Sequence, residues 1–298
     1  MTLGLLLGLG AAVAWGFTDV AGTFAGRRIG SLRALTGAQT ASLVVLLAVA
    51  TPAGGLDAVT RMSVSDLALC SVLGLAAMGA YLAFFTALRI GPLAVVSPTV
   101  AAYGGLTVVL AVLLRGETPT MLQAGGAALS TIGVILVGLV SDGGIRATRI
   151  VGRGVPLGVV ALVLFAVVTI GLADPIGRHG WLAVIVVSRV ANAAACVGLL
   201  VFVLAVGPRW ASPLLATNDD PARATRFVVA AGVLDLAGFV SYAIGLERAE
   251  TWIVGLASSF GPVVAVLVGL GFLDERLRPS QWLGLGLVGV GLVAVAVQ

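Results

Sequence analysis

Ten mainly apolar runs, each close to twenty residues long, follow one another along this chain: 3–24, 33–51, 67–88, 92–114, 119–140, 154–173, 181–206, 226–246, 251–273 and 279–297. A bilayer hydrocarbon core about 30 Å thick takes roughly 20 helical residues to cross. The runs are continuous, with no period-two alternation, which excludes a membrane β-barrel. Only 10% of residues are charged, against about 25% in a soluble domain. Too little polar surface exists to face water, so the solvent is lipid. The expected fold class is an all-α membrane protein.

Turn chemistry and charge punctuate the runs. Arg27-Arg28-Ile29-Gly30, Thr51-Pro52, Gly91-Pro92, Arg115-Gly116-Glu117, Asp174-Pro175, Asn218–Pro221 and Asp274-Glu275-Arg276 are the expected breaks. The first run, Leu3–Ala14 onward, lacks the basic leader of a signal peptide and reads as a retained span. Many of the 41 glycines lie inside the runs, where in lipid they let helix backbones approach closely.

The second half repeats the first. At an offset of 158 residues Gly116-Glu117 falls on Asp274-Glu275, Gly74 on Gly232, and Gly126 and Gly133 on Gly284 and Gly291. An offset of 155 lays Gly16-Phe17-Thr18-Asp19 over Gly171-Leu172-Ala173-Asp174, and one of 156 lays Arg33 over Arg189. Five spans per copy is an odd number, so the second copy enters the membrane from the other side. The expected architecture is ten transmembrane helices as two inverted five-helix repeats, 1–141 and 154–298, joined by a linker at 142–153. That arrangement suits alternating access around a midplane site between the halves.

Several chemistries are excluded by residue type. All 17 basic residues are Arg and none is Lys, which removes the phosphate-loop lysine and Schiff-base chemistry. The single histidine, His179, and the separated Cys70 and Cys196 give no metal site and no intramembrane serine protease; an aspartyl protease needs a second deep aspartate beside Asp235. No enzyme, cofactor or nucleic-acid partner is expected. Gly284-Leu285-Gly286-Leu287-Val288-Gly289 spells a dinucleotide fingerprint, but it follows no strand, so it reads as packing glycine.

A charge near mid-bilayer costs at least about 2.5–3.5 kcal/mol, so such residues turn inward and mark function. Asp235 is the clearest case, halfway along its run, and is expected to bind substrate or a coupling proton. Arg189 lies eight residues into its run with Asn192 one turn on, where it can pair with Asp174 or Asp235 or hold a carboxylate. Asp19 and Asp174 are expected at helix ends, at the cavity rim or in ion pairs, and Arg33 at the start of the second helix. Trp15, Tyr103 and Tyr242 lie well inside their runs as candidate cavity lining, with Tyr81, Ser97, Thr99, Ser258 and Ser259 as further polar groups. Trp181, Trp252 and Trp282 open spans and read as interfacial anchors.

These residues together resemble the EamA-type, ten-helix branch of the drug/metabolite transporter superfamily over nearly the whole chain. The resemblance is carried by Ala14-Trp15-Gly16-Phe17, Arg33, Ala87-Leu88, Gly116-Glu117 before Gln123-Ala124-Gly125-Gly126, Phe260-Gly261-Pro262-Val263, Asp274-Glu275-Arg276 and Gln281-Trp282-Leu283-Gly284. The first half departs at Gly104, where the family carries proline, and at Thr118, where it carries arginine. The resemblance implies a secondary transporter of small metabolites, often an exporter, in the plasma membrane. It also implies a loop-ordering role for Glu117 and Glu275. The expected function is export of a small polar metabolite such as an amino acid, with protons as a coupling partner; the alternative is a non-transporting membrane sensor or assembly component. Arginine counts on the loops favour both termini outside, whereas the family implies both in the cytoplasm.

Overall fold

A computed structural model of the chain describes residues 2–91, 93–138, 145–207, 211–215, 221–264 and 279–296. Among these the chain is helical, with no strand. The elements are α1 (Thr2–Ile29), α2 (Ser31–Ala50), α3 (Gly55–Thr60), α4 (Val64–Ile90), α5 (Leu93–Ala101), α6 (Tyr103–Arg115), α7 (Met121–Gly138), α8 (Ile145–His179), α9 (Trp181–Val206), α10 (Ser212–Leu215), α11 (Pro221–Leu246), α12 (Thr251–Ser258) and α13 (Pro279–Ala296). Among the described residues seven helical stretches are long and apolar enough to cross a membrane, and Met121–Leu136, Thr251–Val264 and Trp282–Val295 are shorter apolar helices. Large apolar side chains such as Val44, Leu113, Val201 and Val290 face outward, as lipid rather than water requires.

Helix boundaries follow the apolar runs except where polar residues sit inside a helix. Helix α9 spans the expected 181–206. In contrast α1 continues past residue 24 through Arg27-Arg28, and α8 runs through Asp174-Pro175 to His179. Asp19 and Asp174 therefore do not end their helices. A proline costs one backbone bond and a clash, which a helix packed on neighbours in lipid tolerates. Helix α8 also begins at Ile145, inside the stretch read as a linker. The expected break at Asp274-Glu275-Arg276 lies outside the described residues.

The true ends of α1 and α8 are single glycines. Gly30 (φ 87°, ψ 151°) joins α1 to α2, and Gly180 (φ 79°, ψ 154°) joins α8 to α9. Only glycine adopts this backbone without strain. A Cβ on Gly30 would also lie 2.4 Å from the Leu214 carbonyl oxygen. Gly30→Val is expected to cost at least about 1–3 kcal/mol, read as a lowered Tm of the purified protein. Gly54→Ala, also at positive φ but with nothing within 4 Å, should cost less.

Matching these two hinges sets the offset between the first two helices of each repeat at 150 residues. The expected offsets of 155 and 156 rested on chance matches of Asp and Arg. Asp19 therefore corresponds to Thr169, and Gln39, not Arg33, corresponds to Arg189. The offset of 158 holds farther along. Gly74 lies against Ser188 and Ala191 of α9, and Gly232 lies against Ala38 and Ala41 of α2, each with a neighbouring carbonyl within 2.4 Å of a notional Cβ.

Contact order along the helices gives their relative directions. On α7 and α13, Gly126 meets Gly291 and Gly133 meets Gly284, so the two run antiparallel. Gly245 meets Leu7 and Gly10 meets Ser241, making α1 antiparallel to α11; Gly171 meets Leu73 and Gly79 meets Leu164, doing the same for α8 and α4. Most of the closely packed pairs join the first half of the chain to the second: α1 on α11, α7 on α13, α4 on α8 and α9, and α2 on α9 and α11.

Two helical interruptions flank the centre of this packing. The run expected at 92–114 is two segments, with Pro98 inside α5 and a break at Ala102. At the 158 offset, α12 stops at Ser258 and turns at Ser259-Phe260 before Pro262. Proline removes a backbone donor and disfavours helix in the residue before it, which accounts for the turn before Pro262; the break at Ala102 falls four residues after Pro98, whose carbonyl still accepts from the Ala102 N–H at 3.2 Å.

Candidate functional site

Between the halves lies a cavity of about 90 Å³, several times the ~10–15 Å³ that one water needs. Its wall repeats across the two halves. Trp15, Thr18 and Asp19 of α1 stand opposite Phe165, Val168 and Thr169 of α8, at the offset of 150. Ala77, Tyr81 and Phe84 of α4 match Asp235, Phe239 and Tyr242 of α11, at the offset of 158. Val100, Ala101 and Tyr103 match Ser258, Ser259 and Gly261 in the same way. The two helix breaks thus supply equivalent parts of the wall.

Most of this lining is apolar and aromatic, and its polar groups are few. On one side the carboxylate of Asp235 is enclosed by donors. Arg189 Nη1 donates to Asp235 Oδ2 at 2.5 Å, Tyr81 Oη donates to Oδ1 at 2.6 Å, and Gln39 Nε2 lies 3.4 Å from Oδ2. A second Arg189 hydrogen bond reaches Gln39 Oε1 at 2.6 Å, and its guanidinium lies 4.4 Å from the Phe239 ring centroid. The Arg189 and Asp235 side chains are 3% and 2% exposed. The two Arg189 bonds, both made by Nη1, offset part of the cost of burying the guanidinium, whose Nε and Nη2 have no hydrogen-bond partner among the described residues. Trp15 Nε1 adds a bond to the Asp235 backbone carbonyl at 3.3 Å, holding α1 to α11.

Asp19 has a different environment. Its Oδ2 accepts a hydrogen bond from Ser97 Oγ at 2.7 Å, and among the described residues no cation pairs with it. Tyr103 Oη bonds Ser258 Oγ at 2.7 Å across the two helix breaks.

Of the residues expected to form a site, Trp15, Asp19, Tyr103, Asp235 and Tyr242 line the cavity. Arg189 stands behind Asp235. Asn192 is buried one turn farther along, where its Oδ1 accepts from Cys196 Sγ at 3.5 Å. Two expected members lie elsewhere. Arg33 Nη1 donates to the Leu215 carbonyl at 3.1 Å, closing the short α10 onto α2. Asp174 is largely exposed and forms an ion pair with Arg115, not with Arg189. Trp252 is also not an interfacial anchor: it is fully buried, and its Nε1 bonds Glu250 Oε2 at 2.6 Å. Gln39, Phe165, Thr169 and Phe239 went unread in the sequence. The glycine-hinge alignment, Gly30 on Gly180, would have found Gln39 as the partner of Arg189 and Thr169 as that of Asp19.

One edge of the bundle is tied across the halves by polar contacts. Glu117 accepts hydrogen bonds from the backbone N–H groups of Thr251 at 3.2 Å and Trp252 at 3.0 Å, capping α12 from the loop after α6. Arg115 bonds Glu117 at 3.0 Å and also pairs with Asp174 of α8. Asp66, at the start of α4, bonds Arg178 at 2.5 Å and His179 at 2.7 Å at the end of α8. Carboxylates at helix N-termini also complement the helix dipole. Cys70 and Cys196 are both buried and free. Among the described residues no group of His, Cys, Asp and Glu could hold a metal.

The chain is similar over 99% of its length to a solved protein described only as "Crystal structure of protein", covering 97% of that chain at 18% identity with a TM-score of 0.76; this likeness shows the fold. No curated protein matches. The sequence profile of the EamA-like transporter family matches residues 2–139 and again 154–297, so both halves, with the cavity between them, carry the same family unit. This multi-pass membrane protein belongs to the EamA-like transporter family.

Proposed function

We propose that the chain is a secondary transporter that exports a small polar metabolite across the plasma membrane by alternating access. Its ten spans form two oppositely inserted five-helix units, 1–141 and 154–298, with 142–153 between them. The antiparallel crossings of α1 on α11, α8 on α4 and α7 on α13 support that arrangement. The observation that carries the reading is the cavity wall, whose residues come in equivalent pairs from the two units. A site shared equally by inverted units can open to either side by rocking one against the other. Trp15, Asp19, Tyr103, Asp235 and Tyr242 contact the substrate, while Arg189 and Asn192 hold the wall from behind. Asp174 and Arg33 lie toward the two ends of the bundle, where Asp174 with Arg115 acts in a gate and Arg33 anchors a loop.

An amino acid needs a receptor for its carboxylate, and Arg189 stands behind Asp235, outside the cavity lining, although its Nε and Nη2 have no hydrogen-bond partner among the described residues. That favours substrates without an exposed carboxylate. Vesicles containing the purified protein, given a panel of amino acids, amines and neutral metabolites with and without a pH gradient, are expected to accumulate at least one compound. Empty vesicles should not, and Tyr103→Ala should reduce the uptake several-fold. No accumulation of any compound under either condition would count against transport.

A further inference from the structure

The cavity contains two carboxylates of opposite circumstance, and the repeat relationship sets them apart. Asp235 occupies the position equivalent to Ala77, and Arg189 the position equivalent to Gln39. Both halves of that ion pair are present in the second repeat alone, and their charges cancel. Asp19 occupies the position equivalent to Thr169. It is present in the first repeat alone, and among the described residues nothing in the second balances it. The charged and titratable groups facing the cavity are Asp235 with its Arg189 from α11 and α9, Tyr81 from α4, Tyr103 from α6 and Tyr242 from α11. None of them supplies Asp19 with a positive charge.

An isolated carboxylate in an apolar wall is unfavourable unless a counter-charge completes it. The surrounding wall suits a cation: Trp15, Tyr81, Phe84, Tyr103, Phe165 and Tyr242 offer aromatic rings, whose faces attract ammonium groups. Resting on the transport-cavity reading above, we infer that Asp19 is the group that receives a positive charge, from a proton or from the ammonium of a small organic cation. Asp235 remains a fixed internal anion. The two sources compete for one carboxylate. Binding of the ammonium by protonated Asp19 breaks the carboxyl O–H bond, leaves the carboxylate paired with the organic cation, and releases the proton to water.

Infrared difference spectroscopy of the purified protein in nanodiscs tests this without knowledge of the natural substrate. Acidification should raise a carboxylic-acid C=O band that vanishes in Asp19→Asn and persists in Asp19→Glu and in the double variant Arg189→Met with Asp235→Leu. At fixed pH, choline should diminish the band, release protons and quench Trp fluorescence saturably. Its uncharged isostere 3,3-dimethylbutan-1-ol should do none of these, and Asp19→Asn should weaken choline binding by about 10–100-fold. A band insensitive to choline identifies the proton as the source, and choline binding without a band identifies the organic cation. The inference is overturned if the wild type responds to neither, or if the responses survive in a folded Asp19→Asn. The spectroscopic response needs no flux: vesicles that transport nothing while the Asp19 band remains would defeat the transport reading alone.

Discussion

Arg189→Met is expected to destabilise the protein by about 3–5 kcal/mol, the cost of leaving one member of a buried ion pair uncompensated. Asp235 would keep only Tyr81 and Gln39 as donors to its carboxylate. Uncharged amide and phenol donors do not replace a guanidinium at 2.5 Å in a site that is almost wholly buried. The double variant Arg189→Met with Asp235→Leu removes both charges while keeping similar volume, and should recover most of the loss. Thermal and denaturant unfolding of the three proteins in nanodiscs provides the measurement. If the single variant loses less than about 1 kcal/mol, the pair is solvated and the description of the site fails. The double variant also tests whether Asp235 acts in transport, because a fixed internal anion that merely offsets Arg189 can be removed together with it.

Gly133→Leu should strongly disrupt the packing of α7 on α13. A Cβ there would lie 2.7 Å from the Gly284 carbonyl oxygen and 2.8 Å from the Val288 backbone nitrogen. Both obstacles are backbone, so no side-chain rotation relieves the overlap, and α7 and α13 must separate. The cost exceeds the ~1–3 kcal/mol typical of overpacking among mobile side chains. Gly126→Leu, facing the Gly291 carbonyl oxygen at 2.7 Å, should behave alike. Gly125→Leu is the internal control: one residue away, exposed and with nothing within 4 Å, it meets lipid and should leave Tm and expression unchanged. Equal tolerance of leucine at positions 125 and 133 would mean that the two helices do not pack along this face.

The scaffold glycines also illustrate what a sequence makes readable. Gly126, Gly133, Gly284 and Gly291 stood out by their offset of 158 as part of a repeat, and the structure brings them together where α7 crosses α13. The signal was strong because a close helix crossing tolerates nothing larger. Charged residues gave a weaker signal for alignment. The match of Asp19 to Asp174 and of Arg33 to Arg189 followed residue type. A carboxylate at a solvated helix end and one on a cavity wall look the same in a chain of letters.

Composition and run length alone determined that this chain is helical and membrane-embedded, since so few charges on runs of about twenty residues leave lipid as the only solvent. The glycine pattern and the match of Gly116-Glu117 to Asp274-Glu275 also marked the internal repeat. Tertiary structure alone decided which polar residues meet. Asp235 finds Arg189 and Gln39 from other helices, Asp174 turns to Arg115, and Asp19 is left with Ser97. The reason is that hydropathy sets each helix's depth locally, whereas partnership depends on the rotation and register of helices far apart in the chain. Those are fixed by the close glycine contacts and by hinges of one residue such as Gly30 and Gly180.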